Sequence, residues 1–310
     1  MTHKQRAAAA LERRIPDRVP TFELEFQLCP ELVGGDFLTR NDLKDASPRE
    51  RERLLNQNVE FMLKVYGMLE YDILPVHYLA EEDLLETARI IRRLTGDEYM
   101  LTTHGDGTFA IPDGNKMVEF AVDLFERADE MHEEADRRAN DAIEHNLRYI
   151  DAGFDSFMLC CDYCYNTGPF LSPVMFAEWV TPYLERIVRK TREAGAYVIK
   201  HTDGDIMPIL DQLVSCNPHA LHSIDPMAGV DIAEVKRLVG DQVCLIGNVN
   251  CAAMQTGTDE EVIASAEYCL THAKPGGGYI FSTSNVPFRG LPLSRYQLIL
   301  DVWKRMRDYA

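Results

Sequence analysis

The chain has 310 residues, of which 46% are hydrophobic and 26% charged, so it can bury a large core. Its 32 Lys and Arg residues against 50 Asp and Glu residues give a net charge of −18. A surface this negative repels nucleic acid and anionic lipid, and no run reaches the roughly 18 apolar residues of a membrane span. We therefore expect neither nucleic acid nor a membrane as a partner.

The first 14 residues predict a short helix. An alanine run at 7–10 is followed at once by Glu12, Arg13 and Arg14, which is unlike a signal peptide. We therefore expect a cytoplasmic protein whose eight cysteines are reduced thiols rather than a disulfide framework.

Eight short β-rich runs recur along the chain, and a helical pattern separates most of them. Continuous apolar runs that alternate with helices are typical of parallel strands covered on both faces. The predicted strands are Val19–Phe26, Tyr71–Val76, Tyr99–Thr103, Phe154–Cys160, Ala196–Lys200, Ala220–Ser223, Val243–Ile246 and Tyr279–Ser282.

The helical pattern is clearest in the second half of the chain. Ser172 and Pro173 suit an N-cap and a first turn, and the apolar residues that follow keep a 3.6-residue period until Gly195, a natural helix end. The longer interval between the third and fourth strands predicts one long, charged helix over Asp123–Tyr149.

Eight strand–helix units in about 300 residues match the usual size of a (β/α)8 TIM barrel. The alternative is a doubly wound open sheet, but no G-x-G-x-x-G turn follows the first strand. The sequence therefore predicts an α/β fold: one closed barrel over residues 1–310, a single domain with a short N-terminal helical extension.

Polar residues follow the predicted strands, and catalytic groups of such barrels lie at the carboxyl ends of the strands. We expect Asp162, His201 and Asp203 to be catalytic. A second set is expected to bind substrate: Glu23, Glu25, His77, His104, Asn248, Asn250, Ser284 and Asn285.

The His201-x-Asp203 pair is the sharpest local pattern. Residues two apart on a strand point to the same face, where a histidine and a carboxylate can bind a metal together or share a proton. The alternative is that Asp203 caps the helix that begins after Gly204 and Asp205.

Cys161 and Cys164 form a C-x-x-C pair. A structural zinc site needs a second ligand pair, and none has the right spacing. We therefore predict that no structural zinc is bound by these two cysteines.

Several short motifs, taken in order, resemble the uroporphyrinogen decarboxylase superfamily, and most closely its cobalamin-dependent methyltransferase branch. The resemblance spans nearly the whole chain and implies a (β/α)8 barrel. The motifs are Pro16-Asp17-Arg18-Val19-Pro20, His201-Thr202-Asp203-Gly204, Gly247-Asn248-Val249-Asn250, Gly276-Gly277-Gly278-Tyr279 and Ser284-Asn285.

The segment at the first predicted strand separates the two branches. True decarboxylases of this family resemble one another in an arginine-rich segment here, which pairs with the carboxylates of the substrate. In this chain residues 21–26 hold no arginine and two acids, Glu23 and Glu25. The resemblance therefore favours the methyltransferase branch, because two glutamates repel a polyanionic substrate.

Members that methylate coenzyme M resemble one another in a zinc site made of a His-x-Cys pair and a distal cysteine. Here His201 matches the histidine, whereas Asp203 and Ser284 stand at the two cysteine positions. The metal ligands that remain are harder ones: His201, Asp203 and Asp225, with Glu23 or Glu25 as further candidates. Such a set suits zinc or another divalent ion.

The resemblance implies methyl transfer between a small methoxy or methylated substrate and the corrinoid of a partner protein, that is, O-demethylation. An alkoxide or phenolate leaves poorly, so His201, Asp162 or a bound metal must supply a proton or a Lewis acid. Two alternatives stay open: a decarboxylase, and a catalytically silent protein that binds a tetrapyrrole or corrinoid. A homodimer is a further expectation for this protein.

Overall fold

The computed structural model describes residues 1–309, and a parallel sheet of seven strands forms its centre. The seven strands are β1 (Ile73–Pro75), β2 (Met100–His104), β3 (Ser156–Leu159), β6 (Tyr197–Thr202), β7 (Ala220–Ser223), β8 (Cys244–Val249) and β9 (Tyr279–Thr283). Each pairs in parallel with the next one in this order. A short antiparallel hairpin, β4 (Cys164–Tyr165) and β5 (Gly168–Pro169), follows β3.

Helices connect the strands in sequence, as the α/β pattern predicts. They are α1 (His3–Leu11), α2 (Cys29–Val33), α3 (Arg40–Leu43), α4 (Pro48–Met68), α5 (Glu81–Thr95), α6 (Met117–Glu126), α7 (Ala128–Ala152), α8 (Pro173–Trp179), α9 (Thr181–Glu193), α10 (Leu210–Ser215), α11 (Ile232–Val239), α12 (Cys251–Thr256), α13 (Asp259–His272) and α14 (Leu293–Met306). The single long helix expected over 123–149 is instead two helices, because α6 ends at Glu126 before α7 begins. None of the helices in residues 1–309 combines the length and apolar character that a membrane-spanning helix requires.

The first predicted strand, Val19–Phe26, is not a strand, so the prediction of eight strands is wrong. The segment nevertheless lies between the two edges of the sheet. Phe281 N–H donates to Pro20 O at 2.9 Å, and Asp72 N–H donates to Thr21 O at 2.9 Å. Pro20 has no N–H to give, and Thr21 N–H is taken by the Asp72 carboxylate at 3.0 Å, so a regular ladder cannot continue. The other seven predicted strands all overlap observed strands.

The sheet curls around an apolar interior to which every strand contributes. This interior cluster comprises Ala7, Ala10, Leu11, Phe22, Leu24, Ile73, Met100, Met158, Ile199, Ala220, Cys244, Ile246 and Ile280. The predicted N-terminal helix is confirmed as α1, whose alanine face packs into the cluster. The strand order and the shared interior exclude the doubly wound alternative and leave a curled, barrel-like α/β fold.

A buried ion network ties α1 to the segment that precedes the sheet. Arg6 donates to Asp72 at 2.6 Å and to Asp17 at 2.5 and 2.9 Å, and His3 lies 2.9 Å from the same Asp72 carboxylate. Because Asp72 is fully buried, these donors replace the water that its carboxylate would otherwise need. The network holds Thr21 and the irregular segment against β1.

Candidate functional site

Asp162, His201 and Asp203 meet at the carboxyl ends of β3 and β6. One ligand atom from each lies within 4.8 Å of the others, and within residues 1–309 no other group of His, Cys, Asp or Glu side chains meets that criterion. His201 Nε2 lies 3.7 Å from a carboxylate oxygen of Asp162 and 3.7 Å from one of Asp203. The three residues that the sequence marks as catalytic are therefore neighbours in space, and we call them the Asp–His–Asp cluster.

Asp203 is held by two side chains from other strands. Ser223 Oγ donates to one carboxylate oxygen at 2.7 Å, and Asn285 Nδ2 donates to the other at 2.6 Å. Burial raises the pKa of Asp203 to about 6, and the negative charges of Asp162 and Asp225 act in the same direction. The helix-cap alternative for Asp203 is not what the structure shows.

Asp205 makes the local backbone contact instead. Its carboxylate accepts the Met207 N–H at 3.1 Å, next to the 3-10 turn Met207–Ile209. The Asp203 carboxylate is therefore hydrogen-bonded by Ser223 and Asn285 rather than by nearby backbone groups, and it belongs to the Asp–His–Asp cluster.

The loop that carries Asp162 is fixed by a buried ion pair. Lys200 Nζ donates to Asp106 at 2.9 Å and to the carbonyl oxygens of Leu159 and Cys161 at 3.0 and 2.9 Å. Although burial would raise the pKa of Asp106, the charge of Lys200 and hydrogen bonds from Thr108 lower it to about 2. Lys200 thus sets the backbone on which Asp162 sits, and Asp162 in turn accepts the Asp203 N–H at 3.0 Å.

His201 is held from behind by a second histidine. Its Nδ1 lies 2.8 Å from Nδ1 of His222, the residue paired with it across β6 and β7. Burial lowers the pKa of His201 to about 4 although the charge of Asp162 opposes it, and burial lowers the pKa of His222 well below its ordinary value. Both imidazoles are therefore neutral at neutral pH.

Glu23 lies in the irregular segment and is linked to His222 through Ser282. Ser282 Oγ donates to its carboxylate at 3.0 Å, and Thr283 donates through its hydroxyl at 2.5 Å and through its N–H at 3.1 Å. Burial raises the pKa of Glu23 to about 8 in spite of these donors. Only 1% of the residue is exposed, so Glu23 does not reach the solvent-facing side of the cluster.

His77 and His104 form a second group at the carboxyl ends of β1 and β2, and Glu25 lies near them in the irregular segment. The two imidazole rings lie 4.4 Å apart between centroids, and His77 Nε2 is 2.9 Å from Leu24 O. Burial lowers the pKa of His77 to about 3. The Glu25 carboxylate accepts a hydrogen bond from Gln27 at 2.9 Å.

The remaining predicted residues have local partners. Asn248 Nδ2 donates to Ile224 O at 2.6 Å, the Asn250 side chain caps α12, and Asp225 accepts the N–H groups of Gly204 and Met227. Asn248 and Asn250 line a cavity of about 810 Å³ whose lining does not include the cluster. Ser284 is buried beside the end of β8. Of the predicted substrate-binding residues, only Asn285 hydrogen-bonds the cluster directly.

Comparison with known proteins supplies the family. The sequence model of the uroporphyrinogen decarboxylase (URO-D) family matches residues 108–303, more than half of the chain. The chain belongs to this family. The superfamily resemblance read from the sequence motifs is thereby confirmed.

One solved structure shares the fold of this chain over nearly its whole length. A methyltransferase from Methanosarcina mazei superposes with a TM-score of 0.75 at 17% identity, covering 98% of this chain and 99% of the other. The match to an N-acetylneuraminate lyase from Fusobacterium nucleatum covers 81% of this chain and 74% of the other at 13% identity, and its TM-score is only 0.42. Comparison with curated proteins gave no significant sequence match.

The cysteines of this URO-D family member lie outside the Asp–His–Asp cluster. Cys161 Sγ donates to Thr108 O at 3.3 Å, and Cys164 is buried in the β4–β5 hairpin. Burial raises the pKa of both thiols to about 12, so neither is a thiolate at neutral pH. The absence of zinc from this pair stays a prediction.

Sequence reasoning missed four residues that organise the site: Lys200, His222, Ser223 and Ser282. His222 and Ser223 lie in a correctly predicted strand, and strand alternation alone would have placed His222 on the same face as Ala220. Their partners could not be found in that way, because the register between strands is a long-range property.

We expect the stability of the protein to depend on pH through Glu23. The unfolded carboxyl titrates near its ordinary pKa of 4.5 and the folded one near 8, so between these values the folded chain keeps a proton that the unfolded chain releases. The free energy of unfolding therefore loses up to about 1.4 kcal/mol per pH unit as pH rises through this window.

Glu23→Gln removes this loss. In urea denaturation between pH 5 and 8, the stability of the variant relative to wild type should rise steadily with pH. Glu52→Gln, an exposed change on α4, is the matched control and should follow wild type at every pH. Parallel curves for Glu23→Gln and wild type would show that Glu23 is ionised in the folded protein.

Proposed function

We propose that the protein is a methyltransferase that moves a methyl group between a small methoxy or methylated substrate and a corrinoid protein. The Asp–His–Asp cluster activates the leaving group in this proposal. The cluster itself is the observation that carries it, because two carboxylates and a neutral imidazole converge at the strand ends where enzymes with this fold place their chemistry.

The donor set of the cluster fits a divalent cation. Carboxylate oxygens and a neutral imidazole nitrogen are ligands for zinc and for similar ions, and the spacing of at most 4.8 Å is small enough for one ion to be shared. Asp162, His201 and Asp203 would hold it. When bound, such an ion supplies a Lewis acid that polarises the leaving oxygen.

The absence of thiolates from the cluster indicates which half of the chemistry the site serves. Zinc sites that activate a thiol are built with cysteine ligands, whereas Asp203 offers oxygen and Ser284 lies outside the cluster. A hard donor set is better matched to an oxygen leaving group. We therefore assign the site to demethylation of an O-methyl donor.

The chain's own residues orient the reacting atoms. Ser223 and Asn285 fix both oxygens of Asp203, and Lys200 fixes the backbone of Asp162. Positions held in this way cost no reorganisation when charge develops on the leaving oxygen. The corrinoid is the second substrate, and its cobalt(I) would supply the electron pair of the new bond to the methyl carbon. The electron pair of the O–CH3 bond would stay on the leaving oxygen, whose charge a proton or a cation held by the cluster would neutralise.

Asp225 is proposed as an outer member of the site. Its carboxylate accepts the Gly204 N–H at 3.3 Å and so supports the turn that follows Asp203. His77 and His104 are proposed to contact the methyl donor, because they lie at the carboxyl ends of neighbouring strands and His104 is exposed. Glu25 is proposed to join them from the irregular segment, because its charge acts on His104.

Metal binding tests the cluster directly. Asp203→Asn keeps the shape of the side chain but removes its charge, so a protein dialysed against Zn²⁺ and then washed should lose most of the ion that the wild type retains. Asp231→Asn, which alters the N-cap of α11, is the control and should retain zinc like wild type. Elemental analysis gives the ratio of zinc to chain, and equal ratios for Asp203→Asn and wild type would remove Asp203 from the site.

The main alternative is a decarboxylase acting on uroporphyrinogen. The carboxylates of Asp162 and Asp203 lie at the strand ends that a substrate with eight carboxylates would approach, and Glu25 adds a further carboxylate near His104. Like charges repel such a substrate. We expect that the pure protein does not convert uroporphyrinogen to coproporphyrinogen. The assay measures the fluorescence of the porphyrin product after oxidation. Efficient conversion would replace the methyltransferase proposal with the decarboxylase.

A further inference from the structure

A series of buried, hydrogen-bonded side chains, His201–His222–Ser282–Glu23, connects the Asp–His–Asp cluster to the irregular segment. His201 Nδ1 lies 2.8 Å from His222 Nδ1, and His222 Nε2 lies 3.4 Å from Ser282 Oγ. Ser282 Oγ lies 3.0 Å from the Glu23 carboxylate. All four residues are buried, and among residues 1–309 His201 and Ser282 are the only hydrogen-bond partners of the His222 ring.

If His201 binds a metal, that binding sets the direction of every hydrogen bond in this series. A neutral imidazole has one N–H and one lone pair, and a metal takes the lone pair. If His201 ligates through Nε2, its proton sits on Nδ1 and is donated to His222 Nδ1. His222 then carries its own proton on Nε2 and donates it to Ser282.

Ser282 is the last of the three donors, and its partner is Glu23. Its oxygen accepts from His222, and its O–H points to the Glu23 carboxyl group, which accepts hydrogen bonds in the ionised form and through one oxygen in the neutral form. In this arrangement each donor group of His201, His222 and Ser282 has an acceptor. The opposite arrangement would place an N–H on His201 Nε2, where the nearest carboxylate oxygens are 3.7 Å away, too far for a hydrogen bond.

We propose that His222 and Ser282 are positioning residues that hold His201 in the Nδ1–H tautomer, so that Nε2 is available to a divalent cation. The inference rests on the proposed function, because it assumes that the cluster binds a metal. Groups that hydrogen-bond the second nitrogen of a ligating histidine set its tautomer and orientation, and their loss typically weakens metal affinity by about 10–100-fold.

The experiment measures Zn²⁺ affinity by competition with a chromophoric chelator. Ser282→Ala removes the acceptor for His222 and should raise the dissociation constant for Zn²⁺ by about 10–100-fold. Ser282→Thr keeps a hydroxyl, and its dissociation constant should stay close to that of wild type. Ser156→Ala is the control: it makes the same change at a buried serine of β3 that does not belong to the His201–His222–Ser282–Glu23 series, and it should have no effect.

A direct readout uses the zinc-loaded wild type, so it does not depend on whether a variant folds. Long-range ¹H–¹⁵N correlation spectra of protein labelled with ¹⁵N-histidine distinguish protonated from unprotonated ring nitrogens. We expect the proton of His201 on Nδ1 and that of His222 on Nε2. A proton on Nδ1 of His222 would overturn the inference.

The two proposals fail in different ways. A wild-type protein that binds no Zn²⁺ would overturn the metal site and this inference with it. A wild type that binds Zn²⁺, together with a Ser282→Ala variant of equal affinity, would overturn the role of Ser282 and His222 but leave the metal site intact.

Discussion

The parallel pairing of β6 with β7 is the constraint on which the site depends. This register puts His201 beside His222 and Thr202 beside Ser223. The first pair supplies the hydrogen bond that holds the His201 ring, and the second brings Ser223 within 2.7 Å of Asp203. A shift of one residue would turn His222 away from the interior and remove both supports at once.

Buried charge around the cluster is balanced group by group. Lys200 and Asp106 form a buried ion pair in which Lys200 also donates to two loop carbonyl oxygens. Arg6 and Asp72 form a second buried ion pair at the opposite ends of the strands. Glu23 is the exception, since its partners are hydroxyl and amide donors and no cation. The free energy that its ionisation would cost is the reason why its pKa is raised.

The sequence predicted seven of the strands because each is a short apolar run bounded by polar residues, and this pattern reflects local burial. It failed at Val19–Phe26, where the same apolar pattern is present but Pro20 and the Asp72 carboxylate prevent regular pairing. Asp72 lies about 50 residues after Thr21, so no local sequence pattern predicts that the two meet.

The candidate site divides in the same way. His201 and Asp203 were found because alternation along one strand is a local rule. Asn248 and Asn250 have the right residue types at a strand end, but a backbone carbonyl and a helix N-terminus occupy their side chains. His222, Ser223 and Ser282 escaped because their roles come from contacts between strands that are far apart in sequence.

Methyl transfer to free cob(I)alamin tests the central claim most directly. With a series of small methoxy compounds as donors, absorbance should report the conversion of cob(I)alamin to methylcobalamin by the wild-type, zinc-loaded protein. His201→Ala should lower this rate by about 10²–10⁴-fold while its unfolding transition stays in place, and His272→Ala, an exposed change on α13, should match wild type. A His201→Ala rate within a few-fold of wild type would contradict the account, as would a wild-type protein that transfers no methyl group from any O-methyl donor.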